Sequence, residues 1–282
     1  RKSDPNKQYF LNKNIPGQVV SENFVDFEHN RNFALQACHN MENVDYILLL
    51  DADMILNIHK DFDIDAFKNG LNNYIAHYLF QGNPSHHYKN VRIVKNIDTI
   101  RYWGVTHEYI QVPENTIYGL TDPQSMFIND VGDGGSKRDK FLRDIRLLSR
   151  ALETNPNNDR YTFYLANSYK DSGQKENAII YYKNRIEIGG WFEEIWQSHY
   201  RIGLCYEELG NMPLALFYWY KALDIHPQRL ENIYKIISYY RQQGQNQMAY
   251  ELFRIADLKR KNLNINKLDF LIDFLFYALC IP

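Results

Sequence analysis

The chain has 282 residues, of which 45% are hydrophobic and 23% are charged, and its formal net charge is −2 at pH 7. This length leaves room for two globular domains. The small net charge provides no field for nucleic acid or for an anionic membrane surface. No apolar run approaches the roughly 20 residues of a membrane-spanning helix, and the polar start is not a signal peptide. We therefore expect no nucleic-acid partner and no membrane span.

The cysteines indicate a reducing environment. Cys38, Cys205 and Cys280 are far apart in the sequence, are odd in number and lie in apolar contexts. Their spacing is not that of metal ligands. Reduced core thiols of this kind are typical of intracellular proteins, so we expect a cytoplasmic location.

The first half of the chain has the pattern of an α/β domain, predicted over residues 1–136. Short apolar runs alternate with helical stretches, and glycine and proline residues separate them. The runs at residues 47–50, 91–94 and 109–112 predict strands, and the stretches at 30–40 and 64–71 predict helices.

An apolar run at residues 46–50 ends on two carboxylates, Asp51 and Asp53. Two positions apart on an extended backbone, the side chains share a face. Both could therefore bind one hard divalent cation, Mn²⁺ or Mg²⁺, with positions left open for the oxygens of a diphosphate. The same two residues also fit a simpler role as the polar end of a strand.

Three further segments carry groups suited to chemistry. Arg31 opens a predicted helix and fits either a donor contact or an ordinary surface position. His107 and Glu108 follow a strand-like segment, although such a pair is more often structural than catalytic. The glycine-rich loop at residues 130–140 contains Lys137 and fits a loop that folds over a phosphate; an interdomain linker has the same composition.

The second half is a repeat array, predicted as an all-α domain over residues 137–282. Small residues, aromatic residues and glycines recur at internal offsets of 3, 7, 12 and 16 from Ala166, from Gly203 and from Ile237. Gly203 and Ile237 are 34 residues apart, which is the tetratricopeptide period. The first copy starts 37 residues before the second, and the surplus falls at residues 189–194, a predicted longer turn. Helices are predicted at 137–153 and, as a cap, at 268–279.

These motifs together resemble a known family. In order along the chain, they occupy residues 27–35, 47–53, 103–109 and 132–148. They are similar to family 2 glycosyltransferases of GT-A fold that carry a C-terminal tetratricopeptide segment, and the resemblance spans nearly the whole chain. It implies a partial GT-A-like α/β domain followed by tetratricopeptide-like helical repeats. It also implies a metal-dependent, inverting hexosyltransferase that moves a sugar from a UDP-linked nucleotide-sugar donor to a protein or glycan acceptor.

The resemblance also implies roles for individual residues. Asp51, Asp53 and Asp130 would bind Mn²⁺ or Mg²⁺, which would neutralise the diphosphate leaving group. Glu108 would be the catalytic base, and His107 would position acceptor or phosphate. The donor side would be contacted by Arg31, Asp51 and Lys137.

Several alternatives remain open at this stage. Nothing in the chain matches the nucleotide-binding segment with which the family begins, so we expect an N-terminally incomplete or degenerate transferase. The chain could then be a helical-repeat protein-binding module with a degenerate transferase domain. Paired aspartates also occur in nucleotidyltransferases and phosphohydrolases. The repeats themselves could extend an acceptor groove or form a homodimer through Phe270, Phe274 and Tyr277.

Overall fold

The computed structural model describes residues 9, 12–14, 19–83, 86–132 and 139–262. The chain divides into two compact units, residues 1–140 and residues 141–282, which we call the strand unit and the repeat unit. Among the described residues, no helix has both the length and the apolar character needed to cross a membrane.

Among its described residues, the strand unit contains two helices and eight strands. Both helices begin at an aspartate whose carboxylate accepts a backbone N–H of the first turn: Asp26 from His29, and Asp63 from Ala66. The helices are α1 (Phe27–His39) and α2 (Ile64–Leu71). The strands are β1 (Tyr46–Leu48), β2 (Met54–Ile58), β3 (Ala76–Asn83), β4 (His86–Lys95), β5 (Arg101–Trp103), β6 (Tyr109–Gln111), β7 (Tyr118–Leu120) and β8 (Met126–Asp130).

Six of these strands form one mixed sheet in the order β1-β4-β3-β8-β2, with β7 also paired to β3. The pairs β1–β4, β3–β4 and β2–β8 are antiparallel, whereas β3 runs parallel to both β7 and β8. Strands β5 and β6 form a separate antiparallel pair. Strand β1 therefore lies at one edge of the described sheet.

Each face of this sheet carries an apolar core. On the α1 face, Ile47, Leu49 and Val94 are buried together with Leu35 of α1. The α2 face buries a second cluster, made of Leu71, Leu79, Ile93, Met126 and Ile128. Because side chains alternate along a strand, neighbouring residues of β4 such as Ile93 and Val94 serve opposite cores.

The described part of the repeat unit is helical throughout. A single helix, α3 (Lys140–Thr154), is followed by three helical hairpins. The hairpins are α4 (Asp159–Asp171) with α5 (Lys175–Ile188), α6 (Phe192–Glu208) with α7 (Met212–Ile225), and α8 (Leu230–Gln242) with α9 (Asn246–Asn262). We call α4, α6 and α8 the first helices and α5, α7 and α9 the second helices.

The recurring residues perform the tasks that their spacing predicts. Gly173, Gly210 and Gly244 turn the chain between paired helices with positive φ angles of 86°, 75° and 71°. Gly203 on α6 lies so close to Trp219 on α7 that an added Cβ would be 2.3 Å from the indole Nε1. The prediction of helical repeats is confirmed, and the helical hairpin is the unit that repeats.

The boundaries of individual elements differ modestly from the predictions. The strand predicted at 47–50 is observed as β1, the helix predicted at 30–40 begins at Phe27, and the helix predicted at 137–153 is α3. The long strand β3 was not predicted, because His77, Gln81 and Gly82 interrupt its apolar pattern. The predicted cap at 268–279, the proposed dimer contacts and Cys280 lie outside the described residues.

Candidate functional site

The predicted acidic site forms a closed cluster of charges in the strand unit. An Arg31 guanidinium nitrogen lies 2.6 Å from Asp51 Oδ1, and its Nε lies 2.6 Å from Glu108 Oε1. On the other side of the same carboxylate, Arg92 NH1 is 3.6 Å from Asp51 Oδ2. Arg92 is itself held by Gln81 and by the carbonyl oxygen of Leu49. Arg31 thus bridges two acidic residues that are distant in sequence.

The pKa shifts of Asp51 and Arg31 agree with these ion pairs. Burial acts to raise the pKa of Asp51, but the hydrogen bond and charge of Arg31, together with Arg92, outweigh it and hold that pKa below its usual range. Burial likewise acts to lower the pKa of Arg31, and Asp51 and Glu108 raise it overall. The Arg31 guanidinium also lies 5.2 Å from the ring centre of Tyr102. Glu108 is therefore a counter-ion of Arg31 in this structure.

The predicted metal ligands do not assemble into one site. Asp53 and Asp130 are close along the backbone, since Val131 N–H donates to the Asp53 carbonyl oxygen at 3.1 Å and Met54 pairs with Asp130 across β2 and β8. Asp51, in contrast, directs both carboxylate oxygens at guanidinium groups. Among the described residues, no three His, Cys, Asp or Glu side chains are grouped so that they could hold a metal ion.

The structure says less about two other predicted site residues, His107 and Lys137. His107 lies in a turn with a positive φ of 51°, directly before Glu108. Lys137 lies outside the described residues, so its suggested contact with a phosphate stays a prediction. The structure therefore brings together Arg31, Asp51 and Glu108, whereas binding of a metal ion or a diphosphate there stays a prediction.

In the repeat unit, polar side chains connect consecutive first helices. Arg201 on α6 donates to Asn167 Oδ1 on α4 at 2.5 Å, and Lys235 on α8 donates to Glu207 Oε2 on α6 at 2.6 Å. Half-buried tyrosines accompany these pairs. We call this surface the first-helix face; it consists of Asn167, Tyr200, Arg201, Glu207, Tyr234 and Lys235.

Aromatic rings lie beneath and beside these polar groups. The Arg201 guanidinium is 5.5 Å from the ring centre of Phe163, and that of Arg229 is 4.7 Å from the ring centre of Trp196. Trp196 stacks on Tyr200 with ring centres 5.9 Å apart. Burial, with smaller contributions from Glu231 and Glu207, raises the pKa of Tyr200 to about 12. The first-helix face thus presents tyrosine hydroxyls and charged side chains that lie against aromatic rings.

A buried ion pair holds the first two hairpins in register. Arg185 on α5 is fully buried, its Nε lies 2.8 Å from Glu194 Oε2 on α6, and NH1 donates to the Gly189 carbonyl oxygen. The sequence predicted a longer turn at 189–194 but not this pair, and in the structure α6 already begins at Phe192. The signal was present, because Glu194 follows closely after the helix that carries Arg185.

Comparison with known proteins places a family match within the repeats. Residues 197–229 match the tetratricopeptide repeat family. A curated relative, the protein CTR9 homolog of Arabidopsis thaliana, is 31% identical over 108 residues, which are 38% of this chain and 10% of that protein. The chain therefore spans about a tenth of the length of this relative.

Three similar solved structures each overlap less than half of the chain. A MamA RS-1 ArsTM double mutant is 13% identical with a TM-score of 0.40, covering 46% of this chain and 71% of its own. The crystal structure of YrrB, a TPR protein with an unusual peptide-binding site, is 17% identical with a TM-score of 0.37, covering 44% and 62%. The N-terminal domain of stress-induced protein-1 from C. elegans is 18% identical with a TM-score of 0.34, covering 38% and 87%.

These findings correct the interpretation of the chain as a family 2 glycosyltransferase. The family match is to the tetratricopeptide repeat, and the curated relative that matches is a CTR9 homolog, not a glycosyltransferase. The assignment is therefore wrong, and with it the hexosyltransferase activity, the GT-A fold and the UDP-linked donor. The Asp-x-Asp pair was weak support for this assignment, because polar residues are expected at the end of a strand whether or not the strand binds metal. The helical-repeat protein-binding interpretation is the better supported one.

Proposed function

We propose that this chain is a protein-interaction module whose first-helix face binds an extended segment of a partner protein. The proposal depends on one observation, the ladder of half-buried polar side chains that connects α4, α6 and α8. Stacked helical hairpins create extended surfaces of this kind, and proteins built from such repeats use them for binding.

The chemistry of the face suits a peptide backbone. An extended peptide offers N–H and C=O groups that need partners once water is displaced. The Asn167 amide, the tyrosine hydroxyls and the Arg201 guanidinium supply donors and acceptors, and they are positioned in advance by neighbouring side chains. Preorganised groups of this kind lower the entropic cost of binding.

The charges on the face favour a partner of mixed polarity. Arg201 and Lys235 carry positive charge, and Glu207 carries negative charge between them. Alternating signs along a groove select the register of a bound segment more than they raise its affinity. We therefore expect a partner segment that contains both acidic and basic residues.

A cytoplasmic location remains part of this proposal. Cys38 and Cys205, the two cysteines among the described residues, are free thiols. Burial raises the pKa of Cys205 to about 11, so this thiol stays protonated and unreactive. Free thiols of this kind are compatible with a reducing compartment.

The test selects binding peptides with the full chain from a displayed library of short random peptides and then measures each affinity by fluorescence anisotropy. Arg201→Ala removes a charged donor, so affinity should fall about 10- to 100-fold, as expected for a loss of about 1.5–3 kcal/mol. Lys221→Ala on the second helix α7 removes the same charge from an exposed position and should leave affinity unchanged. Equal losses in both variants, or none in Arg201→Ala, would contradict the proposal.

A further inference from the structure

A buried hydroxyl in the repeat unit holds one polar side chain of the first-helix face. Tyr182 on α5 is fully buried in the core that the first hairpin shares with α6. Its hydroxyl donates to Asn167 Oδ1 on α4 at 2.7 Å, and Arg201 NH1 on α6 donates to the same oxygen at 2.5 Å. The Asn167 amide is therefore held by two donors, one from the core and one from the next hairpin.

These two donors decide which end of the Asn167 amide is available to a ligand. A guanidinium can only donate, so the Asn167 atom that faces Arg201 must be the carbonyl oxygen. Burial raises the pKa of Tyr182 against the opposing charge of Arg201, so the hydroxyl keeps its proton and can donate. A carbonyl oxygen has two lone pairs, and both are now occupied. What the half-buried Asn167 side chain can still offer is Nδ2, which makes no hydrogen bond among the described residues.

The other polar group at this position is also a pure donor. Arg201 contacts Asn167 and the ring of Phe163, two uncharged groups, and it forms no ion pair among the described residues. Neither Asn167 Nδ2 nor a guanidinium accepts a hydrogen bond. A ligand group that fits here must therefore supply an acceptor oxygen, such as a backbone carbonyl or a carboxylate.

Comparison of the three hairpins indicates that the Tyr182 hydroxyl serves Asn167 and not the core. The equivalent core positions in the second and third hairpins are Trp219 and Phe253, which have no hydroxyl. A buried hydroxyl costs free energy unless it is hydrogen-bonded, so a plain aromatic ring is the simpler core residue. The positions equivalent to Asn167 are a leucine and a serine, residues 204 and 238. The hydroxyl and the amide thus occur together, in the first hairpin.

We propose that Tyr182 is a positioning residue, which acts through Asn167 to make this part of the first-helix face selective for an acceptor oxygen of the bound segment. The selectivity rests on the proposed function, because it needs a segment bound to this face. The orientation of the amide does not. Without the Tyr182 hydroxyl, Asn167 would lose one of its two anchors and regain one free lone pair, so the position would no longer exclude donors.

Asn167→Asp tests the selectivity because it changes the outward atom alone. The new side chain keeps an oxygen for Tyr182 and Arg201 but replaces Nδ2 with an oxygen that is charged and cannot donate. Peptides selected with the wild-type chain from the displayed random library should bind at least tenfold more weakly, as measured by fluorescence anisotropy. Urea denaturation should show that the fold is retained. Undiminished affinity would overturn the proposal.

Tyr182→Phe tests the positioning role in the chain without peptide. The order parameter of the Asn167 side-chain amide, measured by ¹⁵N relaxation, should fall from about 0.85 to below about 0.6. The matched control is Tyr181→Phe on the same helix, where the ring stacks on Tyr169 and the hydroxyl does not contact Asn167. It should leave the order parameter unchanged. An equal order parameter in the wild type and in Tyr182→Phe would refute the positioning role.

The affinity of the selected peptides separates positioning from a structural role. Tyr182→Phe should weaken binding about threefold to tenfold in the wild type and have no effect in the Asn167→Ala background. Equal losses in both backgrounds would mean that Tyr182 acts through the fold in general, and would overturn the proposal.

Modified peptides identify the group that Asn167 contacts. Each peptide is resynthesised with single thioamides, which weaken a backbone acceptor, with single N-methyl amides, which remove a donor, and with alanine at each acidic residue. Either a thioamide or a lost carboxylate should have no effect once Asn167 is alanine. An N-methyl amide that behaves in this way would overturn the proposal. The proposed function fails separately, if Arg201→Ala and Lys221→Ala bind alike.

Discussion

Gly203→Ala tests whether the helical repeats are packed as closely as the structure indicates. Gly203 lies on α6 against Trp219 on α7, and both are buried. An added Cβ would lie 2.3 Å from Trp219 Nε1, 2.4 Å from Cδ1 and 3.0 Å from Cε2. These distances are too short for carbon and nitrogen atoms, so the indole or the helix must move.

The expected loss combines two opposing contributions. Overpacking of a well-packed core costs up to about 3 kcal/mol. Alanine in place of glycine within a helix returns about 1 kcal/mol, because it restricts the unfolded chain and favours helix. We therefore expect Gly203→Ala to lower the free energy of unfolding by about 2 kcal/mol. Urea denaturation followed by helical circular dichroism at 222 nm measures it.

The other repeats support this explanation and suggest a control. The residue equivalent to Gly203 is Ala166 in the first hairpin, where the smaller Tyr182 occupies the aromatic position. Trp219→Phe should therefore make room for alanine. In the Trp219→Phe background, Gly203→Ala should cost less than about 0.5 kcal/mol. A full penalty in that background, or no penalty in the wild type, would refute the close-packing argument.

Two further predictions concern buried charge and pH. Arg185→Met should lower the free energy of unfolding by about 3–5 kcal/mol, because it leaves the Glu194 carboxylate buried without its partner. Replacement of both residues by methionine should recover most of this loss. Thermal and urea denaturation measure both effects. Burial, and then the charge of Lys221, lowers the pKa of His199 from 6.5 to about 4. The unfolded chain therefore binds a proton that the folded chain rejects, and the stability contributed by neutral His199 should be complete above pH 6.5 and lost as the pH falls towards 4.

The controls for these predictions are substitutions in the repeat unit. Arg254→Met breaks an exposed ion pair with Glu251 and should cost less than about 1 kcal/mol. A loss as large as that of Arg185→Met would show that burial is not the cause. For the pH dependence, His199→Gln should flatten the difference between stability at neutral and at mildly acidic pH. An unchanged profile would assign the dependence to other groups.

The sequence predicted the repeat unit well because its information is local. Helical periodicity, the glycines at 173, 210 and 244, and the spacing of small and aromatic residues all act within one hairpin or between neighbours. The sheet was less predictable. Strand β3 carries His77 and Gln81 among its buried residues, because these side chains find partners in Thr121, Arg92 and Tyr88. These partners lie 7 to 44 residues away in the sequence, outside β3, and an alternating pattern does not reveal them.

For the candidate site, too, the sequence determined where charged residues lie, and the tertiary structure determined which of them pair. The sequence alone determined that an apolar strand ends at Asp51 and that charged groups lie at positions 31 and 108. Only the tertiary structure decided that Arg31 binds both carboxylates, across separations of 20 and 77 residues. Tertiary structure likewise decided that the apolar run at 46–50 lies at the edge of the described sheet. Periodicity specifies which face of an element is apolar, but the partner of that face depends on contacts between distant parts of the chain.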